Sequence, residues 1–220
     1  IGPINTGFIR WLTKLILKEC HGISVRDKKS SSLLNTWKIK HLLAPDPVWA
    51  LDAKINQNLS LLSSPRIAVN LRSHPDLTED KINVITNSLI ALQRETKTNI
   101  LILPFQTSKD LAISQYLQEK LGKNSQIISV ENPQELKGLF SQVDMVIGMR
   151  LHCLIMAKSE GCKCFAISYD PKVSILMSEV AIEGYELDKF PDNVTEITEN
   201  WLNIYRKPQN ISDNITRNLA

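Results

Sequence analysis

The chain has 220 residues, is 43% hydrophobic and 22% charged, and carries a formal net charge of +3. That is enough apolar material to bury one full domain core plus a piece of another, and the positive charge is too small and too dispersed among acids to point to nucleic acid. No apolar run approaches the ~20 residues that a membrane-spanning helix needs.

Phe8, Leu12, Leu15 and Ile16 recur at helical spacing and predict a first amphipathic helix ending near Cys20. Residues 23–25 read as a short strand. Asp27 then stands where the N-cap of a second helix would, running to Trp37 with Leu33, Leu34 and Trp37 inward and the serines at 30–32 exposed. Pro45, Pro47, Pro65 and a polar stretch around Asn56 and Asn58 break the pattern, so a domain boundary is expected within 44–65.

From Arg66 the alternation becomes regular. Strand-like runs at 67–71, 100–103, 127–130, 145–147 and 165–167 are separated by helical patterns at 80–95, 109–121, 133–140 and 150–160. This order predicts an α/β fold with a parallel sheet and right-handed crossovers, and ligands then gather at the carboxyl ends of the strands. Arg72, Gln106, Glu131, Arg150 and Tyr169 each follow a strand and are expected to line one rim. Neither common glycine-rich phosphate loop occurs. The tail reads as one helix around Trp201, Leu202 and Tyr205, followed by a shorter or frayed segment beyond Pro208.

The four cysteines are Cys20, Cys153, Cys162 and Cys164, and their spacing does not match the paired arrangement of structural zinc sites. They read as reduced thiols of a cytoplasmic protein, and no metal site is expected.

The stretch Gly148-Met149-Arg150-Leu151-His152 carries the most chemistry. A β-branched-rich run ends at Gly148, where a tight turn is expected. Leu151, Leu154, Ile155 and Ala157 then recur at helical spacing, with Gly161 as the stop. Free N–H groups and the positive end of the helix dipole favour a carboxylate or phosphate there. Arg150 adds a planar two-pronged donor, and His152 can gain or lose a proton near neutral pH. Spacing alone leaves a second reading open, in which Arg150 is a surface ion-pair residue and His152 merely starts a helix.

The run Ile147-Gly148-Met149-Arg150-Leu151-His152, followed by Ile167-Ser168-Tyr169-Asp170-Pro171-Lys172-Val173, resembles the signature of the polysaccharide pyruvyl transferase family. Four further segments resemble that family's motifs in the same order: Ile1-Gly2-Pro3, Ile23-Ser24-Val25-Arg26-Asp27, Asp46-Pro47-Val48 and Asn70-Leu71-Arg72. The resemblance implies two Rossmann-like lobes in a GT-B-type arrangement, of which this chain would be the C-terminal part. Residues 1–55 would close an N-terminal lobe, 64–205 would form the donor-binding domain, and 206–220 a helical tail. Since the chain opens on Ile1 inside a family motif, it is expected to be a fragment with that lobe's first half upstream.

The implied activity is transfer of the pyruvyl group of phosphoenolpyruvate to two hydroxyls of a sugar or lipid-linked glycan, giving a cyclic ketal in a cell-surface polysaccharide. Carried over by position, Arg150 and His152 are the catalytic candidates. Arg26, Arg72, Arg150, Leu151 and Lys172 are the substrate-binding ones. Arg26 has an alternative role as a structural partner of Asp27 or Asp46, and Asp170-Pro171 is also explained by helix initiation alone. At Arg72 this chain continues as Ser73-His74-Pro75, whereas the family favours a proline and an aromatic. No cofactor is implied, because arginines can neutralise an already activated donor. The rival readings are a GT-B glycosyltransferase using a nucleotide sugar and a non-catalytic binding protein on the same fold.

Overall fold

A computed structural model describes Ile4 and residues 6–208. The Ile1-Gly2-Pro3 motif and the end of the expected tail, from 209 on, lie outside the described residues. The chain divides into two compact units, one up to Trp49 and one from Ala50.

The first unit contains helix α1 (Gly7–Lys18), strand β1 (Ser24–Val25), helix α2 (Lys28–Thr36) and strand β2 (Leu42–Leu43). β1 and β2 pair in parallel, over a small core of Val25, Leu34, Trp37 and Ile39. Asp27 caps α2 as the sequence predicts, accepting the Ser30 N–H at 2.7 Å and the Ser30 hydroxyl at 2.7 Å. That second bond corrects one expectation, because it draws Ser30 into the interior while Ser32 stays exposed. α1 forms over the expected residues, yet none of its side chains is buried: Phe8 is 71% and Trp11 57% exposed.

The second unit repeats strand and helix. Its elements are β3 (Arg66–Asn70), α3 (Glu79–Thr96), β4 (Asn99–Ile102), α4 (Thr107–Leu121), β5 (Ser125–Ile127), α5 (Pro133–Phe140), β6 (Met145–Gly148), α6 (Leu151–Ser159), β7 (Lys163–Ser168), α7 (Pro171–Glu179), β8 (Glu183–Glu186) and α8 (Val194–Arg206). All six strands are parallel, in the order β5-β4-β3-β6-β7-β8. Alternate strand residues point to opposite faces. Ile67, Val69, Ile100, Ile102, Met145, Ile147, Phe165 and Ile167 share one core cluster with Leu89 of α3, Leu117 of α4 and Trp201 of α8. Each such side chain, fully buried, contributes about 1.5–3 kcal/mol before the entropy of ordering it is subtracted.

Three local expectations need correction. The third strand of this unit lies at Ser125–Ile127, earlier than 127–130, because its register with β4 ends where Ile127 meets Ile102. Gly148 itself does not turn, because the tight turn expected there falls just after it, as the bend at Met149 and Arg150. Gly148 is the last residue of β6, and a side chain there would crowd Leu154 Cδ2 at 3.1 Å. β8 went unread, since Glu183-Gly184-Tyr185-Glu186 is too polar to look like a strand. It is admitted because Gly184 lets its backbone approach that of Ala166, where a Cβ would sit 2.2 Å from the carbonyl oxygen. Gly161, in contrast, ends α6 as expected, with φ 78°.

Candidate functional site

The strand order reverses direction between β3 and β6, so the crevice outside their carboxyl ends is where an open α/β sheet takes its ligand. Asn70 and Gly148 pair in register at that point. Asn70 is fully buried and ties three loops together. Its Nδ2 donates to the Leu103 carbonyl at 2.8 Å beyond β4, its Oδ1 accepts the Arg150 N–H at 3.1 Å, and its carbonyl accepts the Met149 N–H at 3.0 Å. The segment that carries Arg150 is thereby fixed to the centre of the sheet.

Arg150 occupies the N-cap position of α6, half-buried, and one edge of its guanidinium is already taken. Nε donates to Asp110 Oδ2 at 2.8 Å and Nη2 to Asp110 Oδ1 at 2.6 Å. Asp110 is fully buried in the first turn of α4, and its Oδ2 also accepts the N–H groups of Phe105 at 3.0 Å and Gln106 at 2.9 Å. The ion-pair reading of Arg150 therefore holds in part, but with a buried partner rather than on the surface. Breaking such a pair from one side leaves a buried charge and costs about 3–5 kcal/mol.

Arg72, just past β3, is held by no carboxylate among the described residues. Its Nη1 donates to the Tyr169 hydroxyl at 2.5 Å, and the guanidinium carbon lies 5.0 Å from the centre of the Tyr169 ring. The His74 ring packs on that tyrosine from 5.0 Å. Nε of Arg72 is buried and has no hydrogen-bond partner among the described residues. A cationic donor buried without an acceptor is costly, and a ligand oxygen would relieve it.

The remaining candidates are distributed as follows. Leu151 and His152 open α6, with Leu151 half-buried and His152 exposed. Lys172 is exposed on α7, its backbone N–H received by the Asp170 cap at 2.9 Å. The backbone N–H of Arg72 donates to Met149 Sδ at 3.4 Å, which sets the loop after β3 beside the segment that carries Arg150. Arg26 lies in the first unit, ion-paired with Asp46, which is the structural alternative named for it. Burial pushes the Cys153 thiol of α6 well above its ordinary value, so it is no nucleophile despite its position beside His152.

Asp110 was not singled out by sequence, and Asn70 and His74 appeared there only as neighbours of Arg72, with no role of their own. The only signal for Asp110 is an acid in the first turn of a predicted helix, and nothing local says that it reaches an arginine 40 positions away. Among the described residues no group of His, Cys, Asp and Glu could hold a metal ion, and no helix is long and apolar enough to cross a membrane.

A family model for polysaccharide pyruvyl transferases matches residues 1–171. The chain belongs to that family. No curated protein matches it. Among solved structures, one described as a UDP-N-acetylglucosamine 2-epimerase from Listeria monocytogenes aligns with TM-score 0.68 at 9% identity, over 98% of this chain and 61% of that one. The UDP-GlcNAc 2-epimerase from Neisseria meningitidis aligns with TM-score 0.51 at 13% identity, over 71% of this chain and 43% of that one. The pneumococcal O-GlcNAc transferase aligns with TM-score 0.51 at 13% identity, over 88% and 39%. At such identities the likeness concerns the fold: a Rossmann-like α/β sheet of the kind found in epimerases and GT-B glycosyltransferases, as the sequence led one to expect. The chain spans about 61% of the length of the Listeria protein.

Proposed function

We propose that this pyruvyl transferase family member provides the phosphoenolpyruvate-binding rim of an enzyme that builds a pyruvate ketal on a sugar of a cell-surface polysaccharide. The observation that carries the reading is Arg72. Its guanidinium pairs with no carboxylate among the described residues, has a buried unpartnered Nε, and stands at the switch point beside Arg150. A donor with a carboxylate and a phosphate supplies the acceptors that this rim lacks.

The reaction needs the donor's methylene carbon protonated, so that a sugar hydroxyl can add to the neighbouring carbon. A second hydroxyl then displaces inorganic phosphate, and the two hydroxyl protons balance the proton gained by carbon and the one taken up by phosphate or water. His152, exposed at the start of α6, is assigned the proton transfer. Arg72 and Arg150 hold the anionic groups, with the α6 N-terminus adding its dipole. Lys172 and Leu151 border the same rim from the starts of α7 and α6. Arg26, committed to Asp46, is assigned a structural role. Four free thiols fit a reducing cytoplasm, where we place the reaction.

Titration calorimetry with phosphoenolpyruvate and with nucleotide sugars tests the donor. Incubation of the intact protein with phosphoenolpyruvate and glycan acceptors, followed by proton NMR of the ketal methyl group and phosphate assay, tests the transfer. Binding of phosphoenolpyruvate alone is expected. Binding of a nucleotide sugar with no affinity for phosphoenolpyruvate would replace this reading by glycosyl transfer.

A further inference from the structure

The carboxylate of Asp110 does more than a helix start requires. Accepting the Phe105 and Gln106 N–H groups through Oδ2 would suffice to begin α4. Yet the same buried group also takes the whole Nε–Nη2 edge of Arg150. An arginine offers a two-pronged grip either along that side edge or across its Nη1–Nη2 end. With the side edge occupied, the end remains for a ligand, where Nη2 makes only a long 3.5 Å hydrogen bond to the exposed Gln106 amide oxygen that a ligand can displace. The ion pair also cancels most of the charge of Arg150, whereas Arg72 keeps its own.

We propose that Asp110 is a positioning residue, which holds Arg150 by its side edge so that the Nη1–Nη2 end meets the donor, and which leaves Arg72 to supply the electrostatic attraction. This rests on the phosphoenolpyruvate reading above. It divides the labour of the two arginines: one orients, the other attracts. A simple stabilising ion pair would have no such consequence for ligand affinity.

The test is a double-mutant cycle read in donor affinity on the full chain. Asp110→Asn retains an oxygen for the Phe105 and Gln106 N–H groups but removes the charge and sets an amide against Nη2. In the parent background it should weaken phosphoenolpyruvate binding roughly tenfold, and in the Arg150→Lys background less than about twofold, since no guanidinium is left to orient. Equal losses in both backgrounds would make Asp110 purely structural and overturn the proposal. A second measurement does not depend on the donor or on the stability of the lysine variant. In arginine-labelled protein the Arg150 Nε–H signal should be protected from solvent exchange in the parent and lose that protection in Asp110→Asn. Free exchange in the parent overturns the proposal. A parent that fails to bind phosphoenolpyruvate removes the transfer reading, and the same cycle run with inorganic phosphate then decides the role of Asp110. Binding of neither anion overturns both.

Discussion

Replacing Asn70 by alanine should be among the more damaging single changes at the rim, although Asn70 need touch no ligand. The side chain is fully buried and makes two hydrogen bonds, to the Leu103 carbonyl at 2.8 Å and from the Arg150 N–H at 3.1 Å. Truncation leaves both backbone groups without those partners in a place that water reaches poorly. Each orphaned group costs about 1–3 kcal/mol, so the sum is about 2–6 kcal/mol before any relaxation. For a unit of this size that corresponds to a fall in Tm of about 4–24 °C. Urea unfolding followed by circular dichroism reads the difference as a lower midpoint with unchanged slope. Asn70→Asp separates the two bonds. It keeps an acceptor for the Arg150 N–H but sets a carboxylate against the Leu103 carbonyl, and should be no more stable than the alanine variant. A loss below about 0.5 kcal/mol for Asn70→Ala, the level of an ordinary surface change, would refute the claim that this amide fastens the Arg150 segment.

Tyr169→Phe keeps the ring under Arg72 but deletes the hydroxyl that accepts from it, and should weaken phosphoenolpyruvate binding about threefold to tenfold by calorimetry; unchanged affinity would detach Tyr169 from the site. Gly184→Ala forces a Cβ to within 2.2 Å of the Ala166 carbonyl oxygen and should destabilise the β7–β8 edge by about 3 kcal/mol in thermal unfolding, with a neutral result excluding the close approach. Burial pushes the Cys164 thiol up to about 12 and raises those of Cys153 and Cys162 as well, so in native protein a thiol-reactive dye should label Cys20 quickly and the other three only after unfolding. At Asp27, burial works to raise the carboxyl, but the bonds from the Ser30 hydroxyl and N–H outweigh it and hold the group below its ordinary 3.8. A lowered carboxyl stabilises the fold fully above that value and loses the contribution as pH falls from it through the lower folded-state value, so Asp27→Ala should cost about 1 kcal/mol near neutrality and progressively less in acid. A penalty independent of pH would contradict that linkage.

What the sequence revealed and what it hid follow from the range of the interactions involved. The helices of the second unit were legible because Ile85, Leu89 and Leu92, or Ile113, Leu117 and Leu121, repeat within a few turns and face one core. The interior strands were legible as short β-branched runs, and Asp27, Asp170 and Gly161 announced helix ends through chemistry confined to three or four residues. β2 and β8 were hidden for opposite reasons: Leu42–Leu43 is too short to show a period, and β8 is an edge strand carrying glutamates. The rim was half legible. Arg72, Arg150 and Tyr169 could be placed by the rule that ligands collect after parallel strands. Which arginine is neutralised could not, because Asp110 and Tyr169 act on them from elsewhere in the chain, 40 and 97 positions distant.

The joint between β3 and β6 also has a meaning for how the protein is completed. Besides the β3–β6 backbone ladder, side-chain hydrogen bonds reach across it, among them Arg66 to Asp144, Asn70 to Arg150 and Arg72 to Tyr169, joining residues 78, 80 and 97 positions apart. Closing loops of that length costs more entropy than linking neighbouring strands through one helix, and pairing of this kind comes late in folding. The sheet is therefore two half-sheets, β5-β4-β3 and β6-β7-β8, sewn along one seam. An anion that bridges Arg72 and Arg150 lies across the seam and lends its binding energy to the same closure. On the proposed reading, donor occupancy and completion of the fold become one coupled event, and a chain whose halves have not yet met has no place for the donor.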